Sequence, residues 1–148
     1  MTISRYCIAT IVSEKAIEAM LEGTGQGHYR DEHPWLVAKD LVARADGDMP
    51  ILFAVRTAAH AYFSHWSIIE KIEVREMQTT QWVSQCSFSQ LREMNPIWRD
   101  VDSVMLKASA EQMEREEREQ LQMSRIALDE HRIHPYAICE TPAFIREV

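Results

Sequence analysis

The chain has 148 residues, 46% of them hydrophobic and 26% charged, enough to bury one core and far from the composition of a disordered segment. Its formal net charge is −7 and its pI is near 5.3. That argues against a general binder of duplex DNA or RNA, which needs Lys and Arg to displace counterions. No apolar run approaches the roughly 20 residues that cross a bilayer, and Met1 to Cys7 carries no apolar leader, so the expectation is one cytoplasmic domain over 1–148 with no membrane partner.

In chain order, Arg5 to Val12 is rich in β-branched and aromatic residues and predicts a first strand. Ser13 is a natural N-cap, and Glu14 to Glu22 follows as a short helix with Ile17, Met20 and Leu21 on one face and Gly23 as its stop. Gly23 to His33, holding three of the four glycines, predicts a flexible loop. Pro34 suits the opening of a second helix that runs to Arg44. Asp46-Gly47-Asp48 is a turn into an apolar strand, Met49 to Val55, buried on both faces.

Tyr62 to Val74 predicts a long strand that alternates near its end, Ile68, Ile72 and Val74 one way and Lys71, Glu73 and Arg75 the other. Gln81 to Phe88 is a further strand. Ser89 to Lys107, containing Asn95-Pro96, is expected to form short helical turns. Ser109 and Gln112 match a capping box, opening an acidic helix expected to reach Asp129, with Glu111–Arg115 and Glu114–Arg118 as i, i+4 pairs. The tail from Pro135 to Ile145 supplies a last short strand and an apolar plug that packs internally or across a homodimer.

The three cysteines, Cys7, Cys86 and Cys139, are far apart and form no C-x-x-C pair, so they read as buried hydrophobes. His131 and His134 are spaced for one helical turn, but a helix C-terminus favours histidine without a metal. No H-E-x-x-H or paired-cysteine pattern is present, and neither metal nor cofactor is expected. Gly23, Gly25 and Gly27 follow a helix and lack the Lys-Ser/Thr of a phosphate loop. Ser64 and His65 are neighbours on a strand, which sends their side chains to opposite faces. The aromatics Trp35, Tyr62, Phe63, Trp66, Trp82 and Trp98 are spread over several elements. They suit either a core or a stacking pocket for a heterocycle.

The order of strand, Ser13-capped helix, loop with His28-Tyr29-Arg30, second helix, Gly47-Asp48 turn and aromatic strand resembles EVE domains of the PUA-like superfamily over residues 4 to 75. Ser13, His28 and Phe53 match that pattern, with Trp35 and Trp66 as neighbours of the pocket. Tyr29 stands where the family has Gly, and Ala54-Val55 where it has Tyr-Ser. The resemblance implies an α+β fold, a small PUA-like mixed β-barrel flanked by helices. To this the sequence adds the long acidic helix toward the C-terminus. It also implies binding of a modified nucleobase or nucleotide in DNA or RNA, the expected partner being a modified nucleobase or a single-stranded nucleic acid, with Trp35, Phe53 and Trp66 stacking and Ser13 and His28 reading polar edges. Two alternatives are a small hydrolase, with His28 or His65 as base and Cys139 or Glu140 assisting, and an adaptor or inhibitor that meets a protein partner through the acidic helix 111–119.

Overall fold

In the computed structural model, which describes residues 2–22, 27–78 and 80–147, the β-branched opening run forms β1 (Tyr6–Val12). Ser13 caps α1 (Glu14–Glu22), its Oγ accepting the Ala16 N–H at 3.1 Å. The turn at Asp46 leads into β3 (Pro50–Arg56), whose first six residues are all buried. Before it come β2 (Gly27–Asp31) and α2 (Leu36–Arg44). After it come β4 (Ala61–Gln78), β5 (Gln81–Phe88), the two-residue β6 (Arg92–Glu93), α3 (Ala110–Glu119), β7 (Ala137–Glu140) and α4 (Ala143–Arg146).

The strands form one mixed, open sheet in the order β2-β5-β4-β3-β1-β7, with β6 added to β4. Only β1 and β3 run parallel; the other neighbours are antiparallel. The expected closed barrel is therefore not formed. Its two would-be closing strands, β2 and β7, lie at opposite ends of the order. The outer edge of β7 is instead covered by Met105 to Lys107, through Lys107 N–H to the Ile138 carbonyl (3.0 Å) and Glu140 N–H to the Met105 carbonyl (2.8 Å).

The long strand β4 serves two half-sheets. Its first half pairs with β3 and its second with β5, and the register slips at Ser64, at Glu70 and, next to the strand's end, at Met77. Each slip inserts one residue and reverses the facing of everything beyond it. Ile68 consequently faces the opposite side from Ile72 and Val74, not the same side as simple alternation predicts.

Two cores result, one on each face. The first joins Cys7, Leu52, Phe63, Trp66, Val104, Leu128, Cys139 and Ile145 beneath the C-terminal half of the chain. The second joins Ile8, Phe53, Ile72 and Phe88 to Ile17 of α1, to Ala38 of α2 and to Trp35 just ahead of it. Beyond Glu70, the side of β4 and β5 that faces away from this second core is solvated: among the described residues Lys71 and Arg75 are exposed and Glu73, Val83 and Gln85 half-buried.

The expected long acidic helix is also corrected: α3 stops after ten residues. Gln120 adopts a left-handed φ of 54°, and the Leu121 N–H turns back to the Glu116 carbonyl at 3.1 Å. The Glu116 carboxylate then accepts the Met123 N–H (2.9 Å) and two bonds from Arg125. Leu128, which matched helical spacing, is buried instead by an extended segment in which its N–H donates to the Val104 carbonyl at 2.8 Å. Of the expected cap, the Gln112 N–H does reach Ser109 Oγ at 3.1 Å. The helix ion pair that forms is Arg115–Glu119 at 2.9 Å.

Candidate functional site

The five residues expected to hold a ligand are not gathered into one place. Ser13 is exposed at the start of α1, occupied as its cap. Trp35 and Phe53 are buried at 1% and 0% exposure in the second core. Tyr29 links them, 5.9 Å from the Trp35 ring and 6.2 Å from Phe53. Trp66, 4% exposed, pairs with Leu52 and belongs to the first core on the other face of the sheet. Three stacking rings on two sides of one sheet cannot close on the same heterocycle.

Trp35 is held by its polar atoms as well. Its indole N–H donates to Asp31 Oδ2 at 2.6 Å, and its backbone N–H donates to Ser84 Oγ at 2.9 Å, while the Ser84 hydroxyl donates to the His33 carbonyl at 2.5 Å. Asp31 Oδ1 also meets His33 Nδ1 at 3.0 Å. Burial raises the Tyr29 phenol above its ordinary range, with the Asp31 charge adding to the effect. These bonds leave the buried cluster satisfied, which is how a core aromatic with an N–H is normally accommodated.

The groups named for hydrolysis are likewise apart. His28 on β2 and Cys139 on β7 are separated by five strand spacings, roughly 24 Å along the sheet. Cys139 is fully buried, and burial pushes its thiol up to about 12. Glu140 is engaged by Arg5 at 3.4 Å and Arg125 at 3.6 Å. Ser64 and His65 do touch, Oγ to Nδ1 at 3.0 Å, because the bulge at Ser64 breaks the strand alternation that would have parted them. Burial lowers the His65 pKa, with Glu93 acting in the opposite sense. Ser64 is only 8% exposed, so a substrate carbonyl would have to displace protein to reach its Oγ. Among the described residues no group of three His, Cys, Asp or Glu side chains is placed to hold a metal.

A different arrangement presents itself on the uncovered face of β2, β5 and the second half of β4. Strand pairing lays out rows across the three strands, His28–Ser87–Lys71 and Arg30–Gln85–Glu73, and Val83–Arg75 across β5 and β4. His28 Nδ1 lies 3.1 Å from Ser87 Oγ and 3.4 Å from the Gln85 amide nitrogen, and Arg30 Nε donates to the Gln85 amide oxygen at 3.0 Å. Arg30, Glu73, Arg75, Met77, Val83 and Gln85 line a groove of about 360 Å³. On these described rows the fully charged side chains are the cations Arg30, Lys71 and Arg75 and the carboxylate Glu73, in a chain whose net charge is −7. Of the expected site residues only His28 lies on this face. The alternation of Lys71, Glu73 and Arg75 was the one sequence signal that pointed to it, and the partner strand β2 fell within the stretch read as a loop.

Gly23 and Gly25, part of that expected loop, lie outside the described residues, whereas Gly27 to Asp31 is a regular strand paired with β5. No described helix is long and apolar enough to cross a membrane. No protein-family model, curated protein or solved structure matches the chain.

Proposed function

We propose that the chain is a binding domain for a nucleotide or single-stranded nucleic acid, and that the ligand lies across the open face of β2, β5 and β4. The observation that carries this reading is the groove itself. Two guanidinium groups suited to phosphate flank a Gln85 amide that can read a base edge, and Met77 and Val83 provide apolar surface for its face. Single strands are recognised on exposed sheets by charge along the backbone, side chains stacked under the bases and contacts to base edges; here Met77 and Val83, not aromatic rings, take the place under the base. The resemblance to EVE domains implied a modified base in an aromatic pocket; the ligand proposed here keeps the nucleic-acid class without the modification, and its contact surface is not the aromatic cluster. The net negative charge disfavours duplex, whose denser phosphates would meet the acidic remainder of the surface.

The test is fluorescence anisotropy with labelled single strands over a range of salt. Arg30, Lys71 and Arg75, less the Glu73 charge that pairs with the latter two, neutralise about two phosphates, so log K should fall against log salt with a slope of about −1.4. Arg75→Ala should flatten that slope by about 0.7 and weaken binding. An unchanged slope in Arg75→Ala, or equal affinity for duplex, would remove the groove from consideration. A protein partner at α3 is the second reading, favoured by Glu111, Glu114 and Glu117, which are exposed and make no ion pair among the described residues. Charge reversal at those three positions should then abolish the partner's binding while oligonucleotide affinity persists.

A further inference from the structure

Glu73 is the odd member of the groove. A carboxylate amid cations weakens the attraction of any polyanion, unless the ligand brings N–H donors for it to accept. It is the least exposed of the charged groups on β4 here, its side chain 36% exposed against 64% for Lys71 and 73% for Arg75. Lys71 Nζ lies 3.2 Å from one of its oxygens and Arg75 lies 3.5 Å from the other, on the same open face. The Lys71 bond, with the Lys71 charge next, keeps its carboxyl below the ordinary carboxylate range. At neutral pH it is therefore a pure acceptor.

Pairing places Glu73, Gln85 and Arg30 side by side on three adjacent strands. Read across, the row offers the Glu73 acceptor, then the Gln85 amide nitrogen as a donor, its oxygen taken by Arg30 Nε, and then the remaining N–H groups of Arg30. We propose that this row selects guanine, with Glu73 as the residue that determines the base. The inference rests on the nucleic-acid reading given above. Guanine alone among the common bases carries two adjacent N–H donors, N1–H and the N2 amino group, which the two carboxylate oxygens accept together. Its O6 acceptor then falls toward Gln85 and Arg30. Adenine and cytosine place a ring acceptor beside their amino group, and that acceptor would face the second carboxylate oxygen. Thymine and uracil have a single N–H between two carbonyls, so one of those carbonyls meets the carboxylate.

The experiment compares short labelled oligothymidylate strands that carry one central guanine, adenine, cytosine or thymine, on the whole protein and on Glu73→Gln. The wild type should prefer the guanine strand by about tenfold or more, the scale of one good bidentate base contact. Glu73→Gln should lose that preference through weaker guanine binding, with circular dichroism unchanged because the side chain lies on the open face. Equal affinity of the wild type for all four strands would overturn the guanine assignment and leave the nucleic-acid reading standing. Binding of none of them would overturn both. A uniform rise in affinity for every strand in Glu73→Gln would show that Glu73 is only a counter-ion for Lys71 and Arg75. Guanine preference that survives in Glu73→Gln would place base selection on other residues.

Discussion

Replacing Trp66 with Ala separates a core ring from a ligand-stacking ring. Trp66 is 4% exposed, meets Phe144 edge-on at 6.2 Å, and carries the Arg92 guanidinium 5.2 Å over its face. A buried tryptophan withdraws roughly 150–250 Å² from water. At about 25 cal/mol per Å² that area corresponds to about 4–6 kcal/mol, an upper figure because unfolded chains already hide part of their surface. Measured large-to-small changes at aromatic core sites cost about 3–5 kcal/mol, against a total domain stability of about 5–15 kcal/mol. With a urea dependence of about 2 kcal/mol per molar, the unfolding midpoint should fall by roughly 2 M. Urea titration followed by circular dichroism measures this directly, and Trp66→Phe should recover most of the loss by keeping a ring against Phe144. A midpoint for Trp66→Ala within about 0.5 M of wild type would refute the reasoning. A stably folded variant that had lost oligonucleotide binding would make Trp66 a ligand contact after all.

Three further outcomes follow from particular contacts. A methyl group at Gly27 would overlap the ring of Phe88, which is 1% exposed, so Gly27→Ala should destabilise by about 1–3 kcal/mol in the same urea assay. All three cysteines are buried, with Cys7 pushed well above 9.0 and Cys86 and Cys139 to about 12 by desolvation. A thiol-reactive disulfide reagent at neutral pH should therefore label none in the native protein and three in denaturant. Glu116 is held below its ordinary value of 4.5 chiefly by the Arg125 hydrogen bond. A carboxyl whose folded pKa is depressed contributes stability in full above its unfolded pKa and loses it as the pH falls through the folded value. Glu116→Gln should thus be less stable than wild type at neutral pH, and the difference should vanish on acidification below 4.5, as followed by thermal melts across pH.

Much of the local structure was legible because its signals are local. The β-branched run of β1, the Ser13 cap with Glu14 to Glu22, and the strand Gln81 to Phe88 each carry their own pattern and formed where it placed them. The alternation at Lys71, Glu73 and Arg75 likewise marked one face of β4 before any partner was known. The strand β2 was hidden because Gly27 to Asp31 gains its conformation from hydrogen bonds to β5, nearly sixty residues away. The end of α3 was hidden because Glu116 is claimed by Arg125 and Met123, a competition that helical periodicity does not register.

The sequence by itself determined which segments alternate, where the first helix is capped and that two faces needed burying. The tertiary structure decided which aromatic lies on which face. Trp66 and Trp35 occupy opposite cores because the slip at Ser64 sets the facing of β4 against β3. The slip at Glu70 then turns Ile72 and Val74 into the second core and leaves Lys71, Glu73 and Arg75 on the open side. A bulge changes the parity of a strand by one residue, and only the pairing between strands reveals where that residue is inserted.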